Sequence, residues 1–181
     1  MRPFRVEAPV GDVVSLDDLR DHCRQIGVEH DAKIAAAGLA AVAYLDGYSG
    51  RLGRCILQQK WAFPLGQLWE VVKLPFPDCR DFKLEYLDDL VAWQEVPGVT
   101  FAEGFDWVAV EAGGEDQDGQ LYLTAVAGAV DANSVDDRIK QIIRALTVLW
   151  FDAPSTVVTD GKPQSMPHGI ETLISSLSNV I

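Results

Sequence analysis

Acidic residues near the middle of the chain come closest to a metal-binding motif. Asp116, Asp118 and Gly119 match part of the EF-hand calcium loop. That loop also needs an oxygen ligand five positions before its glycine and a glutamate six positions after it, where this chain has Gly114 and Ala125. With both ligands missing, a solvated hairpin turn is the better interpretation of this segment.

Nucleophilic and phosphate-binding chemistry also lacks its motifs. Residues 47–54, G-Y-S-G-R-L-G-R, contain the glycines of a phosphate loop without the Lys-Ser/Thr pair that completes one, so a helix end followed by a turn explains them better. No G-x-S-x-G nucleophile motif is present in the sequence. Adjacent carboxylates such as Asp88 and Asp89 are common on any acidic surface. We therefore expect no catalytic residues and a protein that is not an enzyme.

Histidines and cysteines are too scattered to indicate a metal or redox site. His22, His30 and His168 lie far apart, and Asp18 and His22, one helical turn apart, are typical of a surface pair. Neighbouring helix residues such as His22 and Cys23 point about 100° apart, which excludes a Cys–His dyad. The cysteines form an odd set without C-x-x-C, which indicates reduced structural thiols in a cytosolic protein: Cys23, Cys55 and Cys79. We expect no cofactor and no metal.

Two helices are predicted before residue 50. Ser15 and Asp18 form a variant capping box that predicts the start of the first helix, and Gly27 predicts the end of that helix. The apolar face of this helix is predicted to contain Leu16, Leu19, Cys23 and Ile26. A second helix is predicted from Asp31, with a seam of small and apolar residues that is packed on more than one side: Ile34, Gly38, Ala41, Leu45 and Tyr48. A strand over residues 39–45 is the competing interpretation, which Ala and Gly disfavour.

Two more helices are predicted near the carboxyl end. Ser134, with Asp137 three residues later, predicts a start, and Pro154 closes that segment. Its apolar stripe contains Val135, Ile139, Ile142, Leu146 and Leu149. Pro167 suits the first turn of a short final helix with an apolar side made of Ile170, Leu173, Ile174 and Leu177.

Between these helix pairs the pattern is that of strands. Residues 55–63 and 68–74 are apolar runs of strand length, while residues 82–87 predict either a third strand or the start of a helix that reaches Trp93. Period-two alternation over residues 105–111, the turn-rich G-G-E-D-Q-D-G and the run 121–126 predict a hairpin. The expected fold class is α+β: a small helical bundle formed by N- and C-terminal helix pairs, with an inserted β-rich middle segment. We expect one domain over residues 1–181, with helices at about 15–50 and 134–180 and the insert at about 54–130.

Charge is concentrated in that middle segment. Residues 78–118 contain twelve acidic residues and two basic ones, so this segment carries −10 of the formal net charge of −12. Ten of the sixteen aromatic residues lie between Trp61 and Trp107, so the segment can bury a core and present a negative face. A pI near 4.5 argues against nucleic acid as a tightly held ligand, which needs a basic footprint. No apolar run is long enough for a membrane span or a signal peptide, so we expect no membrane partner.

Six sequence motifs, in order along the chain, point to one family. They are Y-L-D-G-Y-S-G-R-L-G-R-C-I-L-Q-Q-K-W (44–61), V-K-L-P-F-P (72–77), F-K-L-E-Y-L-D-D (82–89), W-V-A-V-E-A-G-G (107–114), D-D-R-I-K-Q-I-I-R-A-L-T-V-L-W-F (136–151) and M-P-H-G-I-E-T-L-I (166–174). Over about residues 15–177 the chain resembles the small head–tail connector, or adaptor, proteins of long-tailed phages, prophages and gene transfer agents.

The resemblance implies a structural subunit. Members of this family form a ring, generally matching the twelvefold symmetry of the portal, beneath a DNA-filled head. They join the portal to the stopper or tail-completion protein. The expected partners are thus the portal protein, the stopper or tail-completion protein, further copies of this chain in a dodecameric ring, and double-stranded DNA that passes through the lumen without specific binding. The expected location is the neck of a phage or phage-like particle assembled in the cytoplasm of a bacterial host.

Three groups of residues are predicted to serve that role. The ring interface is predicted to use tryptophans that a folded core would equally accommodate: Trp61, Trp69, Trp93 and Trp107. An acidic channel face, which DNA would not adhere to, is predicted at Asp88, Asp89, Glu115, Asp116 and Asp118. An outward solvated surface, or contact with a basic partner, is the alternative for those acids. A portal-binding face is predicted on the final helix and tail, with packing onto the chain's own bundle as the alternative: Ile170, Leu173, Ile174, Leu177, Val180 and Ile181.

Acidity alone predicts a different class of protein. An immunity protein or secretion chaperone masks a cationic partner with a negative surface, and such a protein would be a monomer or dimer. We keep this acidic binding protein as the alternative function.

Overall fold

The computed structural model describes residues 2–88, 92–113, 119–152 and 168–178. The chain divides into two compact units, each described here by itself. One unit consists of Met1–Val10, Leu57–Ala129 and Ile181, and the other of Gly11–Ile56 and Val130–Val180. The described strands belong to the first unit and the described helices to the second, which confirms the predicted α+β class.

The helical unit has two helices from each end of the chain. They are α1 (Leu16–His22), α2 (Asp31–Leu45), α3 (Asp137–Asp152) and α4 (His168–Leu177). Helix α2 packs against α3, α1 contacts both of them, and α4 packs on α3. The core between them is built from the apolar stripe of α3, in which Ile139, Ile142 and Leu146 are buried.

Helix α1 begins as predicted and ends earlier. The Ser15 side chain accepts a hydrogen bond from the Asp18 backbone N–H over 3.2 Å, which caps the helix. The helix then stops with Cys23 as its C-cap, and the next residue, Arg24, has a left-handed φ of 55°. Because the chain leaves the helix there, Ile26 is fully exposed, and its prediction as a member of the buried face is wrong.

Charged side chains fasten α1 to its neighbours. The Arg144 guanidinium on α3 donates to the Asp18 carboxylate through two nitrogens, from Nε to Oδ1 and Oδ2 over 3.2 and 3.1 Å and from Nη2 to Oδ2 over 2.5 Å. Arg20 donates in the same manner to Asp31 at the start of α2, over 2.8 and 2.7 Å. These planar, two-bond pairs fix the orientation of a helix of only seven residues.

The predictions that α2 and α3 are helices are correct, and the errors concern the residues at which they begin or end. Helix α2 confirms the second predicted helix, so the competing strand over residues 39–45 is wrong. Tyr48 was predicted on its seam but lies beyond its end and is exposed. Ser134 does not start α3: it ends a short 3₁₀ turn, Ala132–Ser134, capped by Asp131. The α3 start is instead capped by Asp136, whose carboxylate accepts from the Arg138 N–H over 2.8 Å.

The β unit consists of two antiparallel sheets. Its strands are β1 (Phe4–Glu7), β2 (Gln59–Pro64), β3 (Val71–Lys73), β4 (Arg80–Leu87), β5 (Trp93–Glu95), β6 (Thr100–Glu103), β7 (Trp107–Ala112) and β8 (Leu121–Ala127). The larger sheet has the order β1-β2-β8-β4-β5 and the smaller one β3-β7-β6. Strand β4 confirms a strand over residues 82–87, and the alternative helix reaching Trp93 is wrong because Trp93 opens strand β5.

The predicted hairpin of β7 with β8 is wrong. Strand β7 pairs with β3 and β6 in the smaller sheet, whereas β8 pairs with β2 and β4 in the larger one. A turn-rich connection between two alternating runs shows where the chain reverses, and it does not determine which strands exchange hydrogen bonds. Strand β1 was not predicted at all, since a strand of four residues with mostly exposed side chains leaves little hydrophobic pattern.

Candidate functional site

The four tryptophans of the predicted ring interface fall into two classes. Trp61 is buried on β2 against Phe76, with ring centroids 5.1 Å apart, so it is part of the core. Trp93 is half-buried and lies 5.2 Å from the ring of Tyr122. Trp69 and Trp107, by contrast, are 56% and 38% exposed. The exposed members are therefore the ones available to a second molecule.

Strand alternation places the exposed residues on one side of the smaller sheet. Val108 and Val110 of β7 point inward and are buried, so Trp107, Ala109 and Glu111 point outward. The register brings two β3 residues to the same side, since Val71 pairs with Ala109 and Lys73 with Trp107. We call this surface the outer sheet face; it consists of Val71, Lys73, Trp107, Ala109 and Glu111.

Two apolar residues of this region were missed by the sequence analysis. Val71 on β3 is exposed, and Phe105, just before β7, is 91% exposed. The signal was present in the period-two pattern, which placed Phe105, Trp107 and Glu111 on one side of a strand. The pattern alone does not say which side of a strand faces the core.

The indole of Trp107 is held in place by the turn that precedes β7. A Cβ atom added at Gly104 would lie 2.1 Å from Trp107 Nε1, so the ring packs directly on the glycine backbone. The Gly104 N–H also donates to the Trp107 carbonyl oxygen over 2.8 Å. A fixed aromatic side chain loses little conformational entropy on binding, which suits a contact surface.

The larger sheet carries a buried polar cluster that the sequence did not reveal. Lys60 Nζ on β2 lies 2.8 Å from Glu85 Oε2 on β4, and Thr124 Oγ1 on β8 donates to the same carboxylate. Glu85 and Thr124 are buried. With each carboxylate oxygen bonded to a cation or a hydroxyl, this cluster connects three strands and serves the fold.

The residues of the predicted acidic channel face are only partly described. Asp88 follows β4, and its two carboxylate oxygens accept hydrogen bonds from Ala92 N over 2.8 Å and from Gln94 Nε2 over 2.9 Å. These bonds shape the connection from β4 to β5. The other four predicted members lie outside the described residues: Asp89, Glu115, Asp116 and Asp118.

The predicted portal-binding helix divides along its length. Ile174 and Leu177 are buried in the helical unit, whereas Ile170 is half-buried and Leu173 is exposed. Val180 and Ile181 lie outside the described residues. The part of this prediction that offers a surface is therefore Ile170 with Leu173.

Metal, thiol and membrane features add no further site. Among residues 2–88, 92–113, 119–152 and 168–178, no three His, Cys, Asp or Glu residues are grouped closely enough to hold a metal ion. Cys23 and Cys55 are buried, and burial raises the pKa of the Cys79 thiol to about 12, so it is not a reactive thiolate. Within the same ranges, every helix is too short or too polar to cross a lipid bilayer.

Comparison with solved structures shows which known proteins share this fold. No protein-family profile matches the sequence, and no curated protein does. Solved structures match over its full length. One is a chain from the neck of an empty GTA particle computed with C6 symmetry, with TM-score 0.72, 19% identity and coverage of 100% of this chain and 97% of that one. The chain has the fold of a gene transfer agent neck protein.

Two further structures agree with this assignment of the fold. A chain from the virion of a native gene transfer agent particle has TM-score 0.70 and 21% identity, and covers 100% of this chain and 97% of its own length. A chain from the neck of a native GTA particle computed with C12 symmetry has TM-score 0.70 and 17% identity, with the same coverage. The family resemblance seen in the sequence is thus confirmed at the level of the fold.

Proposed function

We propose that this protein is a structural subunit of a ring-shaped head–tail connector in the neck of a gene transfer agent or phage particle. The observation that carries the proposal is the match to gene transfer agent neck and virion chains, which covers 100% of this chain and 97% of each matched chain. A shared domain would match part of a chain, whereas here the match extends over nearly all of both chains. The protein docks on the portal, links the DNA-filled head to the stopper or tail, and performs no chemistry.

Copies of the chain form the ring through two different surfaces of each subunit, because a closed ring of identical subunits needs a heterologous interface. Trp69 and Trp107 are its exposed aromatic members. Twelve copies is the expected number, in keeping with the C12 symmetry of one matching neck. Trp61 is buried and stabilises the core of each subunit instead of contacting the next one.

Double-stranded DNA passes through this ring without being held. Negative walls present no cations to replace the counterions of the phosphates, so DNA gains no free energy by adhering. Asp88 and Asp89, together with the acids at 115, 116 and 118, are the proposed lining. The acidic binding protein that masks a cationic partner accounts for the charge, but it offers no reason for the full-length match to neck chains.

Deleting the gene from a particle-producing strain tests the connector function. We expect DNA-filled heads and separate tails in electron micrographs, and tailed particles again when the gene is supplied on a plasmid. Purified wild-type particles are also expected to contain the chain in their necks. Tailed particles formed without the chain, or necks that lack it, would show that the proposal is wrong. A chain that instead co-purifies with one cationic protein would favour the acidic binding protein.

Portal docking needs a separate variant. Removing residues 170–181 also removes Ile174 and Leu177 from the helical core, so the exposed Leu173 is the better target. Leu173→Asp is expected to abolish co-purification with portal rings while leaving the melting temperature unchanged. Val10→Asp, at an exposed position of the other unit, is the matched control. Portal binding by Leu173→Asp equal to wild type would exclude this face as the docking site.

A further inference from the structure

The outer sheet face is an apolar surface without a cover in the described chain. Val71 and Ala109 form its centre, and Trp107 lies at one end. The exposed Trp69 and Phe105 lie next to β3 and β7 in the sequence and extend the apolar character of this region. Large exposed apolar surfaces on a folded unit mark interaction sites, especially when charged residues border them.

Helix α2 presents the second uncovered surface. Its charged residues, Asp31 and Lys33, both lie in the first turn, and its remaining thirteen positions are uncharged. One side is buried against the bundle, with Ile34 and Ala41 fully enclosed, while Leu39 on another side is 67% exposed. A helix that is apolar all round is normally buried all round. The uncovered side of α2, with Leu39 among small residues, is therefore a surface that another backbone can approach closely.

We propose that α2 of one copy packs on the outer sheet face of the next copy in the ring. This inference rests on the proposed function, because a closed ring needs two different surfaces that fit each other. The two surfaces are similar in length: from Lys33 to Ala43 the exposed side of α2 spans about 15 Å, and from Trp107 to Glu111 the outer sheet face spans about 13 Å. Helix-on-sheet packing is a stable way to bury both.

Charges at the two ends select the direction of packing. Glu111 lies at one end of the outer sheet face, and Lys73, opposite Trp107, lies at the other. The amino end of α2 carries Lys33 and the positive end of the helix dipole, while the Asp31 carboxylate is already bonded to Arg20. The carboxyl end has no basic residue in its last turn, so its negative end is uncompensated. Lys33 Nζ itself lies 4.4 Å from the centroid of the Phe151 ring in its own chain, so the positive end of the helix dipole supplies the charge at this end. The amino end of α2 therefore faces Glu111 of the next copy, and the carboxyl end faces Lys73.

Cysteine cross-linking in assembled particles tests this contact. Ala40 of α2 is exposed and Ala109 lies at the centre of the outer sheet face, so Ala40→Cys and Ala109→Cys change little volume in either surface. On mild oxidation, particles with both substitutions are expected to give a ladder of covalent multimers, since every copy then links to two neighbours. Particles with either single substitution are expected to give monomers and control for the native cysteines.

Each outcome of the cross-linking decides a separate point. A ladder in the double variant alone supports the contact. Necks that contain the chain but give no ladder overturn the contact and leave the connector function standing. Dimers from Ala40→Cys alone also overturn it, because α2 would then face another α2. Wild-type necks without the chain overturn the connector function, and the inference falls with it.

A charged substitution provides a second measurement that does not depend on disulfide geometry. Leu39→Asp would place a carboxylate in the apolar contact and is expected to lower incorporation into necks by about tenfold or more. Val130→Asp, at a site 73% exposed and outside both surfaces, is the matched control and is expected to incorporate like wild type. Equal incorporation of the two variants, with equal melting temperatures, would refute the contact.

Discussion

Removing one partner of the Lys60–Glu85 ion pair is expected to destabilise the β unit strongly. In Glu85→Gln the side chain keeps its shape and can still bond to Thr124, but the Lys60 ammonium loses its counter-charge at 2.8 Å. The Lys60 side chain is only 16% exposed. Breaking a buried pair from one side costs about 3–5 kcal/mol, and we expect about 3 kcal/mol because the long lysine stem can turn its ammonium toward water. For a chain of this length that corresponds to a fall of about 6–12 °C in melting temperature.

Thermal and urea unfolding of the full chain, followed by tryptophan fluorescence, measures this loss. The matched control is Glu95→Gln, because Lys83 and Glu95 form a pair between neighbouring strands of the same sheet but are 47% and 54% exposed. A surface pair of that kind contributes about 0–1 kcal/mol. Equal losses for the two glutamine variants would refute the argument. So would a double variant, Lys60→Met with Glu85→Gln, which keeps an acceptor for Thr124 Oγ1 but fails to recover most of the stability.

Three further substitutions test the fold at other points. Gly113→Ala should cost more than about 2 kcal/mol, measured by urea unfolding, because φ is +79° and the new Cβ would lie 1.9 Å from a backbone oxygen. Asp18→Asn should cost about 1–3 kcal/mol by the same assay, since the amide is neutral and offers Arg144 one acceptor oxygen in place of two. Asp31→Asn should lower stability at pH 7. That difference should begin to shrink as the pH falls below about 4 and should vanish only below the lowered pKa of Asp31, because hydrogen bonds from Arg20 hold that pKa below its ordinary value and their contribution is lost as the carboxylate protonates.

Helices were predictable because their signals are local. The Ser15 side chain accepts a hydrogen bond from an N–H only three residues later, and the apolar stripe of α3 repeats at the helical period. A short window of sequence is therefore enough to recognise either signal. The errors lie at helix ends. Ile26 continues the period of α1 in sequence, yet the chain has already left the helix at Cys23. The spacing of apolar residues does not show at which residue the backbone leaves the helix.

Sheet pairing was not predictable, because it depends on residues far apart in sequence. Strand β8 pairs with β2 and β4, at separations of about 60 and 40 residues, and not with β7, the strand before it. Residue type likewise did not determine the role of a tryptophan. Trp61 and Trp107 both lie in strands, β2 and β7, and the side of the sheet on which each lies makes one core and the other surface.

Most of the acidic charge of residues 78–118 is not neutralised by basic residues in the folded protein. Some of its carboxylates serve the sheets, but the described ion pairs of this segment involve three cations: Lys60, Arg80 and Lys83. Three cations cannot neutralise twelve carboxylates, so the β unit retains a strongly negative field. In a binding protein such a field would attract a cationic partner from a distance. In a ring around DNA the same field would have the opposite effect, because a DNA duplex that releases no counterions gains no binding free energy from the wall.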